Sequence, residues 1–552
     1  MKVICFKKVS WWVVIALIPL ALIIGFFVGN FISGKSLARG LFLRNGNKIE
    51  VLMDIINEEY VDKIDMKELM ENAIPKIVGE LDPHSNYIPV EELAAVKENM
   101  DGHFAGLGIE NIFFSDTLVV TNVMPGSPSE QAGLLPGDRI ISINDSLYID
   151  KKYSEEKIMS MLRGEIGASV KLGIKRIASD NPIDYEITRA FIPISTIKAA
   201  YEVSEGIGLI KIYDSFSNST YDEFVNAMAK LMNKGCTSFI IDLRMNKGGS
   251  FDAAVKICNE FLPRGRAIVY TEGKSFPRED VFANGSGTLQ DNPIVVLTDQ
   301  MSASASEIVA GAIQDNDRGL VIGRRTFGKG LVQNQIEFPD GSAFRLTIAR
   351  YYTPSGRNIQ RKYELGKTDE YNQEWIDRLS NGEVFHEDSV NFVTSSIYHT
   401  RTGRTVYGGG GIMPDIFVPL DTTESTSYYL HLENKNIFSY YAFTYSDTNR
   451  DKLKRFTNQE DMLAYLKSQY LLYDIVRLAE EKGIKRRSAL INISANQILN
   501  TTYAHILKNF FGGEALFITI LNNDIMVKKA VNVILKGNAS PEAVTALKYK
   551  EN

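Results

Sequence analysis

The chain has 552 residues, too many for one hydrophobic core and enough for roughly three or four domains. Its apolar share of 44% and charged share of 23% are ordinary for a globular protein. A formal charge of −6 gives no reason to expect a nucleic-acid partner.

Lys2, Lys7 and Lys8 precede an uncharged run from about Val9 to Ile32. A bilayer is crossed by about 20 apolar residues, so this run is long enough for one transmembrane helix. Trp11 and Trp12 lie where an interfacial aromatic belt would sit, and lysines ahead of the run place the N-terminus in the cytoplasm. The expected layout is a cytoplasmic stretch 1–8 and a signal-anchor helix 9–33, with an extracytoplasmic remainder, the bacterial periplasm being the natural compartment. A cleaved signal peptide is the rival, although no A-x-A site follows the run. Cys5 precedes the run. Cys236 and Cys258 follow it and are expected to be buried free thiols, since three cysteines make no disulfide framework.

Residues 36–101 read as helical, with Ile49, Leu52, Ile55 and Ile56 near a 3.6-residue period. From 102 to 178, short β-type runs alternate with Gly, Pro, Asn and Asp, and one helix, SEEKIMSMLRG, interrupts them. From 189 to 422, strands such as TSFIIDLRMN and PIVVLTD alternate with helices such as STYDEFVNAMAKLMNKG and ASEIVAGAIQDN. That β-α rhythm implies a mostly parallel sheet covered by helices, with functional groups where strands end. A polar stretch at about 361–410 breaks the rhythm and reads as an irregular insertion. Residues 423–552 read as a helical C-terminal region, open to self-association, to partner docking or to covering a cleft. The fold class is therefore α/β and multi-domain, α+β overall.

The stretch SASAS, residues 302–306, joins an apolar strand to a helix. Ser304 with Glu307 matches the S-x-x-E capping box, so Ser304 either caps the helix or points its hydroxyl into a cleft at the helix N-terminus. A nucleophilic serine needs a base. None of the six histidines lies in the α/β motifs, although a distant one can fold in. Lys329, between two glycines in TFGKGLVQ, becomes a base if burial lowers its pKa; otherwise it is a surface lysine in a turn. Gln333, four residues on, shares its face and can orient the amine. Gly248 and Gly249 make a strand-to-helix turn that offers amides to an oxyanion or simply connects two elements. Neither a phosphate-loop nor a metal-ligand pattern is present, so no metal and no cofactor are expected.

Together and in order, LDPHSNYIP, FAGLGIE, PGSPSEQAGLLPGDRI, DLRMNKGG, SASASEIVAGAIQD and TFGKGLVQ resemble the carboxyl-terminal processing protease family, the tail-specific proteases. YYTPSGRNIQ and GIMPDIFV fit as well, and the resemblance spans roughly residues 50–420. It implies a serine endopeptidase working through an acyl-enzyme, with Ser304 as nucleophile, Lys329 as base and Gln333 as helper. Its oxyanion donors would be the amides of Ala305 and Gly248, with Gly249 the second choice. The resemblance also makes 102–178 a PDZ domain, inserted ahead of a protease core at 189–422. In such a domain Phe104, Ala105, Gly106, Leu107, Gly108 and Ile109 bind the carboxyl end of a protein substrate's tail. The alternatives are a catalytically silent PDZ scaffold and a hydrolase using a histidine base.

Overall fold

The structure is a computed structural model. It describes residues 17–25, 28, 47–114, 117–144, 146–147, 154–176, 181–390 and 396–540. Most of the apolar run 9–33 lies outside them; its described part, 17–25 with residue 28, is helical. Among the described residues, no helix is long and apolar enough to cross a membrane. The chain divides into two compact units, Met1–Ile77 and Val78–Asn552. The first contains the helix Lys48–Glu59, whose residues are all at least partly exposed.

In the second unit, six strands form a central sheet in chain order: Ile197–Ser204, Ile207–Ile212, Ser238–Asp242, Ile294–Thr298, Leu320–Gly323 and Ile416–Phe417. The first pair is antiparallel and the rest run parallel. Every residue of Ile207–Ile212, Ile294–Thr298 and Leu320–Gly323 is buried. That explains their largely apolar sequences, because a parallel sheet is covered on both faces; the charged exception, Lys211, is paired with Asp242 at 2.9 Å. One face packs on the helices Thr220–Asn233, Phe251–Phe261 and Ala305–Asp315. The other face, with Leu209, Ile240, Leu297 and Ile322, packs on Met526, Val527 and Ala530 of the helix Ile525–Leu535.

The C-terminal helical region therefore has two roles. Tyr428, Leu432, Ile475, Ile498 and Leu507 belong to a core of their own, whereas Ile525–Leu535 covers one face of the central sheet. Asp524 caps that last helix at the amides of Met526 and Val527, and its carboxylate lies 2.7 Å from the Arg244 guanidinium. Asp524→Ala is expected to cost about 2–3 kcal/mol, from the lost cap and the stranded arginine. Asp524→Asn, which keeps the cap, is expected to cost about half of that. Urea unfolding of the two variants measures the difference.

The region 102–178 forms an antiparallel sheet of Ile109–Phe114, Thr117–Val123, Arg139–Ile143, Ser169–Lys175 and Ile183–Thr188, with Ser146–Leu147 on its third strand. The sheet thus runs past residue 178, because Ser169–Lys175 hydrogen-bonds along Ile183–Thr188. Its core holds Leu107, Val120, Ile140, Ile158 and Leu172. Arg139 reaches Asp447 of the helical region at 3.0 Å.

The stretch read as an irregular insertion contains the helix Thr368–Ser380 and a hairpin of Ile397–His399 with Thr405–Tyr407. Its polar sequence misled because the charges are buried in pairs. Arg325 and Arg378 both bind Glu383 at 2.8 Å, and all three are largely shielded from water.

Candidate active site

The three serines of SASAS separate by burial. The Ser302 hydroxyl donates to the Leu243 carbonyl and that of Ser306 to the Asn246 carbonyl, and both residues are fully buried. Ser304 stands just ahead of the helix Ala305–Asp315, with φ 53° and ψ −114°. For a residue with a β-carbon this backbone is strained by about 1–3 kcal/mol. It turns the serine out of the packed interior and into a cleft of about 390 Å³. Lys329, Gln333, Ala305, Gly248 and Gly249 line the same cleft, so chain segments far apart in sequence meet there.

Glu307 holds these segments in place. Its Oε2 accepts the amides of Ser304 and Lys329, both at 2.8 Å. Its Oε1 accepts the Gly328 amide at 2.8 Å and the Thr326 hydroxyl at 2.5 Å. The carboxylate is fully buried. Burial pushes its pKa up to about 7, while the four donors pull the other way. The Tyr351 hydroxyl adds a second clasp against the carbonyls of Ser304 and Lys329. The sequence signal for Glu307 was the S-x-x-E spacing. Its carboxylate does receive the Ser304 amide, and it spends its remaining capacity on the loop that carries the lysine.

Lys329 Nζ donates to Gln333 Oε1 at 2.9 Å. Burial lowers the amine's pKa, and the positive charge of Arg345 lowers it further. Gln333 is fixed in turn by the His84 carbonyl, which its Nε2 reaches at 2.5 Å. LDPHSNYIP thus supports the lysine, a part its sequence did not reveal. The His84 imidazole is bonded to the Tyr371 hydroxyl at 3.0 Å, and burial holds it down at about 4. The helix Thr368–Ser380 contributes Tyr371, and also Arg378, which donates to the carbonyls of Thr326 and Phe327. Instead of an irregular insertion, this helix backs the lysine loop.

At the Gly-Gly turn, a β-carbon on Gly248 would fall 2.5 Å from Ser304 Cβ and 3.0 Å from the Ala305 nitrogen. Its φ of 97° is also unfavourable for side chains, so only glycine keeps this space open. The Gly248 amide donates to Asn246 Oδ1 at 2.9 Å. The first-choice oxyanion donor is therefore engaged in this structure, because Asn246 links that amide to Ser306. Ala305 supplies the first amide of its helix, one of the four that lack an intrahelical partner.

Of the six residues expected to bind a carboxyl terminus, Phe104, Ala105 and Gly106 form a two-stranded ladder with Ala190–Pro193, so their backbone is paired. The Leu107 side chain packs in the core and its carbonyl accepts the Ser129 amide. The Gly108 carbonyl accepts the Met124 amide. Ile109 opens the strand Ile109–Phe114, an edge of the antiparallel sheet. Cys236 and Cys258 are buried free thiols.

Residues 206–373 match Peptidase family S41, 119–176 match the PDZ domain, and 428–512 match DUF8443, a family of unknown function. A carboxy-terminal-processing protease of Bartonella bacilliformis is 34% identical over 354 residues, which cover 61% of this chain and 80% of that protein. A protein of Staphylococcus aureus described as a probable CtpA-like serine protease is 35% identical over 320 residues, 58% of this chain and 63% of its own length. Among solved structures, a photosystem II D1 C-terminal processing protease aligns with 28% identity and a TM-score of 0.32, covering 56% of this chain and 88% of that one. Fold and site define a serine-type peptidase that carries a PDZ domain. The chain belongs to the carboxy-terminal-processing protease family.

Proposed function

We propose that this peptidase works with Ser304 as nucleophile and Lys329 as general base, through an acyl-enzyme. Neutral Lys329 takes the Ser304 proton as Oγ attacks the scissile carbonyl. The tetrahedral oxyanion is held by the Ala305 amide and a glycine amide of the turn: Gly248 once it leaves Asn246, or Gly249. Lys329 then hands its proton to the leaving amine and activates water for deacylation. The observation that carries this reading is the amine itself. It lines the same cleft as Ser304, is largely withdrawn from water and is bonded to an uncharged amide oxygen, an arrangement that favours the neutral form. One N–H goes to Gln333, and the lone pair remains for the serine proton.

Protein substrates would enter by their C-terminal tails, added as a strand beside Ile109–Phe114. Lys2, Lys7 and Lys8 ahead of the apolar run support anchoring in a membrane, with the catalytic part extracytoplasmic, as in a bacterial periplasm.

A fluorophosphonate probe tests the reading. It is expected to label Ser304, as located by peptide mass mapping, and to fail on Ser304→Ala and Lys329→Ala. His84→Ala, which keeps the carbonyl that holds Gln333, is expected to retain labelling. Labelling lost in His84→Ala but kept in Lys329→Ala would replace the lysine with a histidine base.

A further inference from the structure

The cleft is unevenly charged. Of the sixteen described residues that line it, Lys247, Lys329 and Arg345 are basic and none is acidic, although the chain as a whole carries −6. The three basic residues are not equivalent. Lys247 is exposed and has a partner in Asp214 at 3.3 Å. Lys329 is the desolvated amine bonded to Gln333. Arg345 is half-buried, and its guanidinium donates to the neutral Gln335 Oε1 at 3.0 Å. No carboxylate among the described residues lies within ion-pair distance of it.

The neighbouring acids are already committed. Glu307 accepts its four donors. Asp82 accepts the hydroxyls of Ser85 and Thr347 and the amides of His84 and Ser85. An arginine partly withdrawn from water without a counter-charge is unfavourable, unless the missing anion arrives from outside. Arg345 is also held rigidly. Its strand, Ala343–Tyr352, is paired with Asn86–Ile88, Leu331–Glu337 and Ala267–Glu272, and Arg345 itself sits in register with Asn86 and Gln335. A planar guanidinium fixed in this way suits bidentate binding of a carboxylate.

We infer that Arg345 is a specificity-determining residue that receives a carboxylate of the substrate peptide close to the scissile bond. This rests on the peptidase reading of the cleft. The carboxylate comes from an Asp or Glu side chain or from the peptide's free C-terminus. Peptides with neither dock with the guanidinium unsatisfied and are cut more slowly.

The test uses the full-length chain in detergent and mixtures of dodecapeptides in which every residue type occurs at every position. One mixture carries free C-termini and the other C-terminal amides. Products are mapped by mass spectrometry, and rates are compared within each reaction, so a general change in turnover cancels. In the amide mixture, wild type is expected to enrich Asp and Glu roughly tenfold at one position within three residues of the cut, the scale of one charge-assisted contact. If the terminal carboxylate is the ligand, cuts instead fall at a fixed short distance from the end in the free-acid mixture and lose that spacing in the amide mixture. Arg345→Gln is expected to abolish either preference, and Arg345→Lys to keep part of it. A flat distribution in both mixtures, or an equal preference in Arg345→Gln, overturns the inference. Products that persist in Ser304→Ala would overturn the peptidase reading, and the inference with it.

Discussion

Ser304→Ala is expected to reduce peptide turnover by roughly 10⁴-fold or more, the scale on which a nucleophile is lost from a serine peptidase. Lys329→Ala is expected to fall nearly as far, and the double variant no further than Ser304→Ala, because the two groups act in one proton transfer. Folding should survive in all three, since the Glu307 carboxylate that holds the Ser304 and Lys329 amides is kept in each. Ser304→Gly should be equally inactive yet melt higher than wild type, because glycine tolerates φ 53° and removes the strain. The pH profile has a defined sign. Only neutral lysine accepts the proton, and burial lowers the Lys329 pKa from its ordinary value. Turnover should therefore rise with pH as the amine deprotonates, with a midpoint below that of free lysine. A profile that shows no rise at any pH below the titration range of free lysine, or a Lys329→Ala enzyme at near-normal rate, would remove the lysine from the mechanism. Assays across pH on a protein or peptide substrate, alongside thermal melts, give both readouts.

Glu307→Gln is the second large effect, despite being nearly isosteric. The carboxylate accepts two donors on each oxygen. Glutamine offers one acceptor oxygen and turns an NH₂ towards two donors, leaving them buried and unpaired. Each such loss costs about 1–3 kcal/mol. The expected destabilisation is about 3 kcal/mol, a fall in Tm of roughly 6–12 °C for a core of this size. Activity should fall sharply even below the melting range, because the bonds lost are those that hold the Ser304 and Lys329 segments together. Wild type has a related pH signature. With the Glu307 pKa raised to about 7, the folded chain holds a proton that the unfolded chain releases near its ordinary value of 4.5. This group's contribution to stability therefore declines as pH rises from about 4.5 to about 7 and is level above that. Glu307→Gln should lack that decline. Chemical denaturation across this range separates the two proteins.

Sequence periodicity alone carried the architecture of the protease core. The runs at Ile207–Ile212, Ile294–Thr298 and Leu320–Gly323 are largely apolar because they are buried on both faces, and their alternation with amphipathic helices identifies a parallel sheet. Motif order carried the class of chemistry and the candidate residues Ser304, Lys329 and Gln333. Local sequence could not tell one serine of SASAS from another by environment. Ser302 and Ser306 are spent on the carbonyls of Leu243 and Asn246, about 60 residues away in the chain. Nor could it show that Gln333 rests on the His84 carbonyl across a separation of 249 residues, or that Asn246 occupies the Gly248 amide.

The elements within the polar segment at about 361–410, and the packing partner of the last helix, were hidden for complementary reasons. In the first, buried arginine–glutamate pairs look like solvent-exposed loop until the partners are seen together. In the second, an apolar helix gives no sign of which sheet face it will cover. Periodicity and motif order are properties of neighbouring residues, so the sequence determined the elements, their order and the reactive residue types. Pairing, burial and the uneven charge of the cleft depend on residues from tens to hundreds of positions apart. Those were decided only when the chain closed on itself.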